Sequence, residues 1–366
     1  MIMIRKYTTY LTLYLFAILL ATAIAACSSE VSNDCDSDST LAAVGEPVTF
    51  SMTFTNELTR SGTTIDNVWP ANKTVTIANN ANPVVMHDFT TGSTVTTNAD
   101  GNTMLTPVSD NFIWPINNPS WSFSGWYPAA ASAPSGITVA ADQTIYDATN
   151  NPDGIADAVY QGYDLLYCPP TPVTFRQKPV TLTFLHQLAR VVVIIGSGYT
   201  DTKETVTKVE FGGDKVALKG TISALGTTLN TNGTTTWTVS DEAAYKDKTI
   251  TMRPNADMTD ASNNVYAFEC MLPPQTYKVG ETVTSIDNLI KITSTKKAPE
   301  AGTIRNYHYG NTLDLKAGYQ YTYNLLISEQ GVVTLATVKV TDWTAGAPIN
   351  NDAVIPSNDY PTNPIQ

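Results

Sequence analysis

The sequence predicts an all-β protein built from two tandem β-sandwich domains. Three observations carry that expectation. The segment Val48–Phe54 alternates without exception, apolar at Val48, Phe50, Met52 and Phe54 and Ser or Thr between, as a strand does when one face lies on a core and the other meets solvent. Further short runs rich in Val, Ile, Thr and Tyr recur along the chain, separated by Gly- and Asn-containing breaks that suit hairpin turns. The 3.6-residue periodicity of amphipathic helices is scarce, so the apolar faces must be buried sheet on sheet.

At the N-terminus, Arg5 and Lys6 precede an apolar run from Tyr10 to Ala26 that ends in small side chains, the layout of a cleavable secretory signal (1–26). The last four positions, Ile24-Ala25-Ala26-Cys27, resemble a lipobox, in which the Cys27 thiol takes a diacylglyceryl thioether and becomes the first residue of the mature chain. An ordinary signal peptide cut near Ala26, leaving a free cysteine, is the alternative. Residues 27–40 are too polar and acidic to bury anything and read as a flexible tether between lipid and folded protein. No later segment approaches the roughly 18 apolar residues of a membrane-spanning helix.

Beyond the tether, the Val48–Phe54 strand is followed by weaker strand signals. They lie at 74–77, 122–127, 180–184, 191–195, 208–211, 249–252, 265–271, 289–292, 319–327 and 332–340. Breaks at Gly212-Gly213, Asn232-Gly233 and Gln330-Gly331 read as turns, the last joining 319–327 and 332–340 into a hairpin. Cys168-Pro169-Pro170-Thr171-Pro172 should interrupt strand pairing, because proline lacks a ladder donor. The boundary between an N-terminal domain (41–178) and a C-terminal domain (179–346) is placed just after it, and a polar, proline-rich tail (347–366) follows. Trp343 is expected in the second core.

Little in the sequence points to chemistry. His87, His186 and His308 are dispersed, with none in a paired metal-ligand spacing, and His186 reads as a structural residue at a strand end. No nucleophile elbow, P-loop or dinucleotide fingerprint occurs. Asp147–Asp157 carries oxygen ligands around Gly154, yet Thr149 and Tyr160 stand where a calcium loop needs its first and last acidic ligands, so an Asx-rich surface loop is expected. Cys168 and Cys270 each sit in apolar stretches, compatible with a bridge or with two lone buried thiols. Trp114, Trp121 and Trp126 could stack on sugars or fill a core. The net charge of −12 argues against nucleic acid or an acidic membrane surface as a partner, since both would be repelled. Neither an enzyme, a metal nor a cofactor is predicted.

Several phrases in fixed order resemble the fimbrillin family, the lipoprotein pilins and pilin-like subunits of type V pili in anaerobic Gram-negative bacteria. They are Phe123-Ser124-Gly125-Trp126-Tyr127-Pro128, Asp164-Leu165-Leu166-Tyr167, Phe184-Leu185-His186-Gln187-Leu188-Ala189-Arg190-Val191, Leu272-Pro273-Pro274-Gln275, Ala317-Gly318-Tyr319-Gln320-Tyr321-Thr322-Tyr323-Asn324 and Val340-Thr341-Asp342-Trp343. The resemblance implies transthyretin-like topology in both domains, export to the outer membrane and cell surface, and maturation by an arginine-directed protease. Loss of the N-terminal strand then opens a groove that another subunit's strand fills. In this chain the matching positions are Arg60 and Ser61 for cleavage, with Val48, Phe50, Met52 and Phe54 as the face leaving the groove. A cell-surface fimbrial subunit or adhesin is therefore expected, with other fimbrial subunits and surface ligands as partners and a lipid as membrane anchor. A surface glycan-binding lipoprotein that does not polymerise is the second reading.

Overall fold

In the computed structural model, the described residues are 41–54, 69–81, 83–117, 119–197, 204–226, 235–262, 264–296, 304–327 and 333–343. The signal, Cys27 and the tether lie outside them, as do Arg60, Ser61, the Asn232-Gly233 and Gln330-Gly331 turns and the C-terminal tail.

The first strands are β1 (Phe50–Phe54), β2 (Thr74–Asn79), β3 (Val85–Thr90), β4 (Thr103–Pro107), β5 (Ser122–Tyr127) and β6 (Gly136–Thr138). A short helix α1 (Asp157–Gly162) precedes β7 (Leu166–Pro172) and β8 (Val180–His186). Strands β1-β4-β3-β2-β5-β7-β8 close into a barrel, because β1 pairs antiparallel with β4 on one side and parallel with β8 on the other. The expected all-β class holds, but here the sheet edges are joined by one strand instead of left open as in a sandwich. The barrel core includes Val48, Phe50, Met52, Trp69, Phe123 and Phe184.

The remaining strands are β9 (Ala189–Ser197), β10 (Glu204–Val216), β11 (Lys219–Ala224), β12 (Thr236–Val239), β13 (Lys248–Thr251), β14 (Arg253–Pro254) and β15 (Val265–Leu272). After them come β16 (Lys278–Val279), β17 (Thr282–Val283), β18 (Ser285–Lys296), β19 (Ile304–Thr312), β20 (Tyr319–Ile327) and β21 (Val333–Asp342). Two sheets, β13-β10-β18-β19 and β14-β15-β9-β20-β21, contribute alternate side chains to one second core. Val191 and Val193 of β9 meet Phe211 of β10 and Ile292 of β18 there, which is the sheet-on-sheet packing expected of this half. Strands β20 and β21 pair antiparallel along their length, as the hairpin reading requires.

Three expectations are corrected by the pairing. The boundary near residue 178 falls inside the barrel, since β8 is its closing strand and Val180, Leu182 and Phe184 fill the barrel core. The chain also crosses earlier: β6 pairs with β11, and Val139, Tyr160 and Leu165 belong to the second core before β7 returns to the barrel. Apolar content cannot reveal such a crossing, because both cores draw on the same residue types. The proline-rich passage is not a break but strand β7, which pairs with β5 across a register shift and meets β8 only at Leu166 and Tyr167. The missing proline donors thus fall where no ladder bond is asked of them. Gly212-Gly213 is not a turn; it is a bulge inside β10, where pairing with β13 slips between Phe211 and Val216.

Candidate functional site: strand β1 and its seat

Strand β1 is extended because its Thr, Phe and Met side chains suit a pleated, half-buried surface, and it is placed by hydrogen bonding on both edges. Phe50, Ser51 and Met52 lie opposite Leu105, Met104 and Thr103 of β4. On the other edge, Phe50–Phe54 run in register with Val180–Phe184 of β8. Flanking bonds extend the grip, from Val48 N to Phe112 O (2.8 Å) and from Val180 N to Thr49 O (2.8 Å).

The four apolar side chains expected on one face are all buried. Phe50 is wholly enclosed and meets the rings of Phe89, Phe112 and Phe123 edge-on at 5.0, 5.9 and 5.0 Å, the geometry that aromatic quadrupoles favour. The opposite face is less solvated than the alternation suggests: Ser51 is fully buried, and its hydroxyl is 2.9 Å from that of Thr181.

The far end of β1 is held by rings. Phe54 stacks on Trp69 (5.7 Å, 17°) and on His186 (5.6 Å, 13°), and His186 stacks in turn on Trp343 (4.1 Å, 9°). Phe54 and Trp69, which touch, are the described residues nearest in sequence to Arg60 and Ser61. His186 Nδ1 lies 2.6 Å from Asp164 Oδ1, both groups buried. The charge of Asp164 also acts on Tyr127, whose hydroxyl is pushed up to about 12, first by burial and then by that carboxylate. Sequence reading placed His186 at a strand end as a structural residue, and the structure agrees. It did not single out Trp69 or Asp164 as partners, because nothing local marks residues whose contacts, with Phe54 and with His186, are made through the tertiary fold.

Other polar clusters are structural props. Arg190 and Glu269 pair at 2.6 Å in the interior, with Asn255 donating to the same carboxylate oxygen at 2.8 Å. Glu204 is met by Ser294, by the Tyr307 hydroxyl at 2.9 and 2.8 Å and by Arg305 at 3.5 Å. Arg253 pairs with Asp157 and lies over the Tyr160 ring, pinning α1. Among the described residues no group of three His, Cys, Asp or Glu side chains could hold a metal. In the loop weighed for calcium, Asp147 instead accepts the backbone N–H groups of Thr149 and Asn150 and the Asn150 amide. Cys168 and Cys270 are free and buried in different cores. Burial pushes the Cys168 thiol up to about 12, far from a reactive thiolate. Of the tryptophans weighed as sugar platforms, Trp114 and Trp126 are buried, and Trp121 is half-buried, stacked on Trp114 at 5.4 Å.

No curated protein matches the chain in sequence. Among solved structures, a candidate cell adhesion protein of Bacteroides uniformis overlaps with a TM-score of 0.49 and 18% identity, over 81% of this chain and 98% of that one. A second candidate cell adhesion protein, from Bacteroides ovatus, gives 0.48 and 13% over 82% and 99%. A fimbrial protein of Bacteroides vulgatus gives 0.43 and 15% over 81% and 99%. In sequence, the fimbrillin-like family model matches residues 59–343, well over half of the chain and including every phrase on which the resemblance rested. The chain belongs to the fimbrillin-like family.

Proposed function

We propose that this chain is a subunit of a cell-surface fimbrium. It is made as a lipoprotein anchored through Cys27 and matured by cleavage between Arg60 and Ser61, and it assembles when a neighbour's strand takes the place of β1. The observation that carries this reading is the double pairing of β1. It is the one described strand upstream of Arg60, and the barrel is closed through it. Its departure would leave β4 and β8 as unpaired edges and uncover the seats of Val48, Phe50, Met52 and Phe54. At about 1.5–3 kcal/mol for each large side chain lost, an empty groove does not persist. A strand with apolar residues at alternate positions refills it and regains the ladder bonds, which is β-strand addition.

The test is to treat wild type and Arg60→Ala with an arginine-specific protease and follow mass and oligomer state. Wild type is expected to lose the segment ending at Arg60 and then form oligomers, while Arg60→Ala does neither. Wild type uncut at that bond, or equal oligomers from both, would overturn the mechanism. Lipidation is tested separately: Cys27→Ala should abolish incorporation of labelled lipid and release the protein from the membrane.

A further inference from the structure

The barrel has an end where chain entry and exposed apolar residues coincide. Strands β1 and β8 start together at Phe50 and Val180, β4 runs out past Leu105 beside them, and β3 begins opposite the end of β2 at Asn79. Strand β5 starts and β7 finishes at the same end, Ser122 opposite Pro172. The described residues of the segments 41–49, 80–84, 108–121 and 173–179 therefore share this end. Six of the sixteen large exposed apolar side chains among the described residues belong to it. The entering chain supplies Leu41 and Val44, the approach to β3 supplies Val84 (58% exposed), and the segment after β4 supplies Val108 (56%), Ile113 and Ile116 (85%). Bridges from Leu41 to Gln177 and from Pro47 to Ile113 tie the entering chain to its neighbours.

The charge at this end is as unusual as its apolarity. In a chain of net charge −12, these four segments carry two acidic side chains, Glu46 and Asp110, and two basic ones, Arg176 and Lys178. Glu46 and Lys178 pair at 3.7 Å. A neutral, apolar end is one that a phospholipid surface does not repel, unlike the rest of an acidic protein.

We infer that this end of the barrel rests on the lipid bilayer in the anchored precursor, with Ile116 and its neighbours seated among the headgroups. The inference rests on the lipid-anchored reading above and deepens it by naming the surface that meets the membrane. The occupant follows from the chain itself. Only residues 27–40 separate the proposed lipid on Cys27 from Leu41, a length of chain that reaches at most about 50 Å in any conformation. Such a tether holds this end at a high effective concentration against the bilayer, so that a modest apolar contact suffices. Cleavage after Arg60 would remove the anchor and, with it, Leu41 and Val44, two of the residues that make the contact.

The test places an environment-sensitive fluorophore on Ile116→Cys, and on Ser93→Cys at the opposite end of the barrel, in a Cys35→Ser background. The mature lipoprotein is reconstituted in phosphatidylethanolamine–phosphatidylglycerol vesicles. A parallel form, with Cys27→Ser and a polyhistidine tag in its place, is held on the same vesicles by a nickel-chelating lipid. A blue shift and quenching by spin-labelled lipid at position 116 but not at 93, in both forms, is the expected result. If the tagged form shifts while native lipid is never incorporated, the membrane face stands and the Cys27 anchor falls. Absence of the shift in the tagged form overturns the membrane face whatever becomes of Cys27. A shift that appears without vesicles and grows with protein concentration assigns this end to a second copy of the chain and also overturns it.

Discussion

The imidazole of His186 and the indole of Trp343 lie nearly parallel, 9° apart in plane with centroids separated by 4.1 Å. One belongs to the last barrel strand, the other follows β21 of the five-stranded sheet, and Trp343 N donates to Gly318 O at 2.8 Å to fix its approach. Because Phe54 stacks on the same imidazole, the end of β1 and the end of β21 share one aromatic contact.

Trp343→Ala should therefore destabilise the protein by about 3–5 kcal/mol, as truncation of a buried tryptophan does. Urea unfolding at neutral pH checks this, and stability equal to wild type would show that the stack contributes nothing.

Phe50→Ala should cost about 3–5 kcal/mol in the precursor, since three aromatic neighbours lose their partner. If β1 is exchanged on maturation, the same substitution should leave the thermal stability of the assembled polymer unchanged. Comparison of precursor and polymer melting separates a strand that leaves from one that stays.

Gly213→Ala should destabilise by about 1–3 kcal/mol. Its φ of +52° suits glycine, and an added Cβ would come within 2.7 Å of Asn288 O and 2.8 Å of the Ile286 side chain, crowding the bulge at which the pairing of β10 with β13 slips. Chemical denaturation of the purified variant measures the loss.

Alkali should unfold the protein earlier than it unfolds proteins with exposed tyrosines. Burial pushes Tyr127 and Tyr321 up to about 12 from an ordinary value of 10.0 and raises Tyr160 well above it. The unfolded chain then releases protons that the folded chain retains, so stability is full below pH 10 and falls as pH rises toward 12. The slope is at most about 1.4 kcal/mol per pH unit for each such tyrosine. Melting temperature against pH, read beside tyrosinate absorbance, checks the sign and the window; Tyr127→Phe should flatten the slope.

Strands that bury one face along their length were legible in the sequence: β1, β5, β9, β15 and β20 each contain an apolar run that survives as a core contact. Edge and exposed strands were not. In β19 the residues around buried Tyr307 include Arg305, Asn306 and His308, and in β3 only Phe89 is buried, so no alternation marks either one. The seat of β1 was half legible. Its four apolar side chains follow from period two, whereas its partners β4 and β8 lie some fifty and a hundred and thirty residues away. Closure of the barrel depends on those distant pairings, which periodicity does not encode.

The parallel alignment of β1 with β8, combined with its antiparallel alignment with β4, also sets how the strand answers to force. Ladder bonds run across a strand, perpendicular to it in the antiparallel pair and slanted in the parallel one. A pull along β1 from its Val48 side loads them together in shear, on both edges at once, instead of peeling them one by one. Tension applied in that direction is thus resisted by the strongest mechanical geometry a sheet offers. A tug from the opposite end, directed outward at Phe54, would open the same bonds in sequence as a zipper.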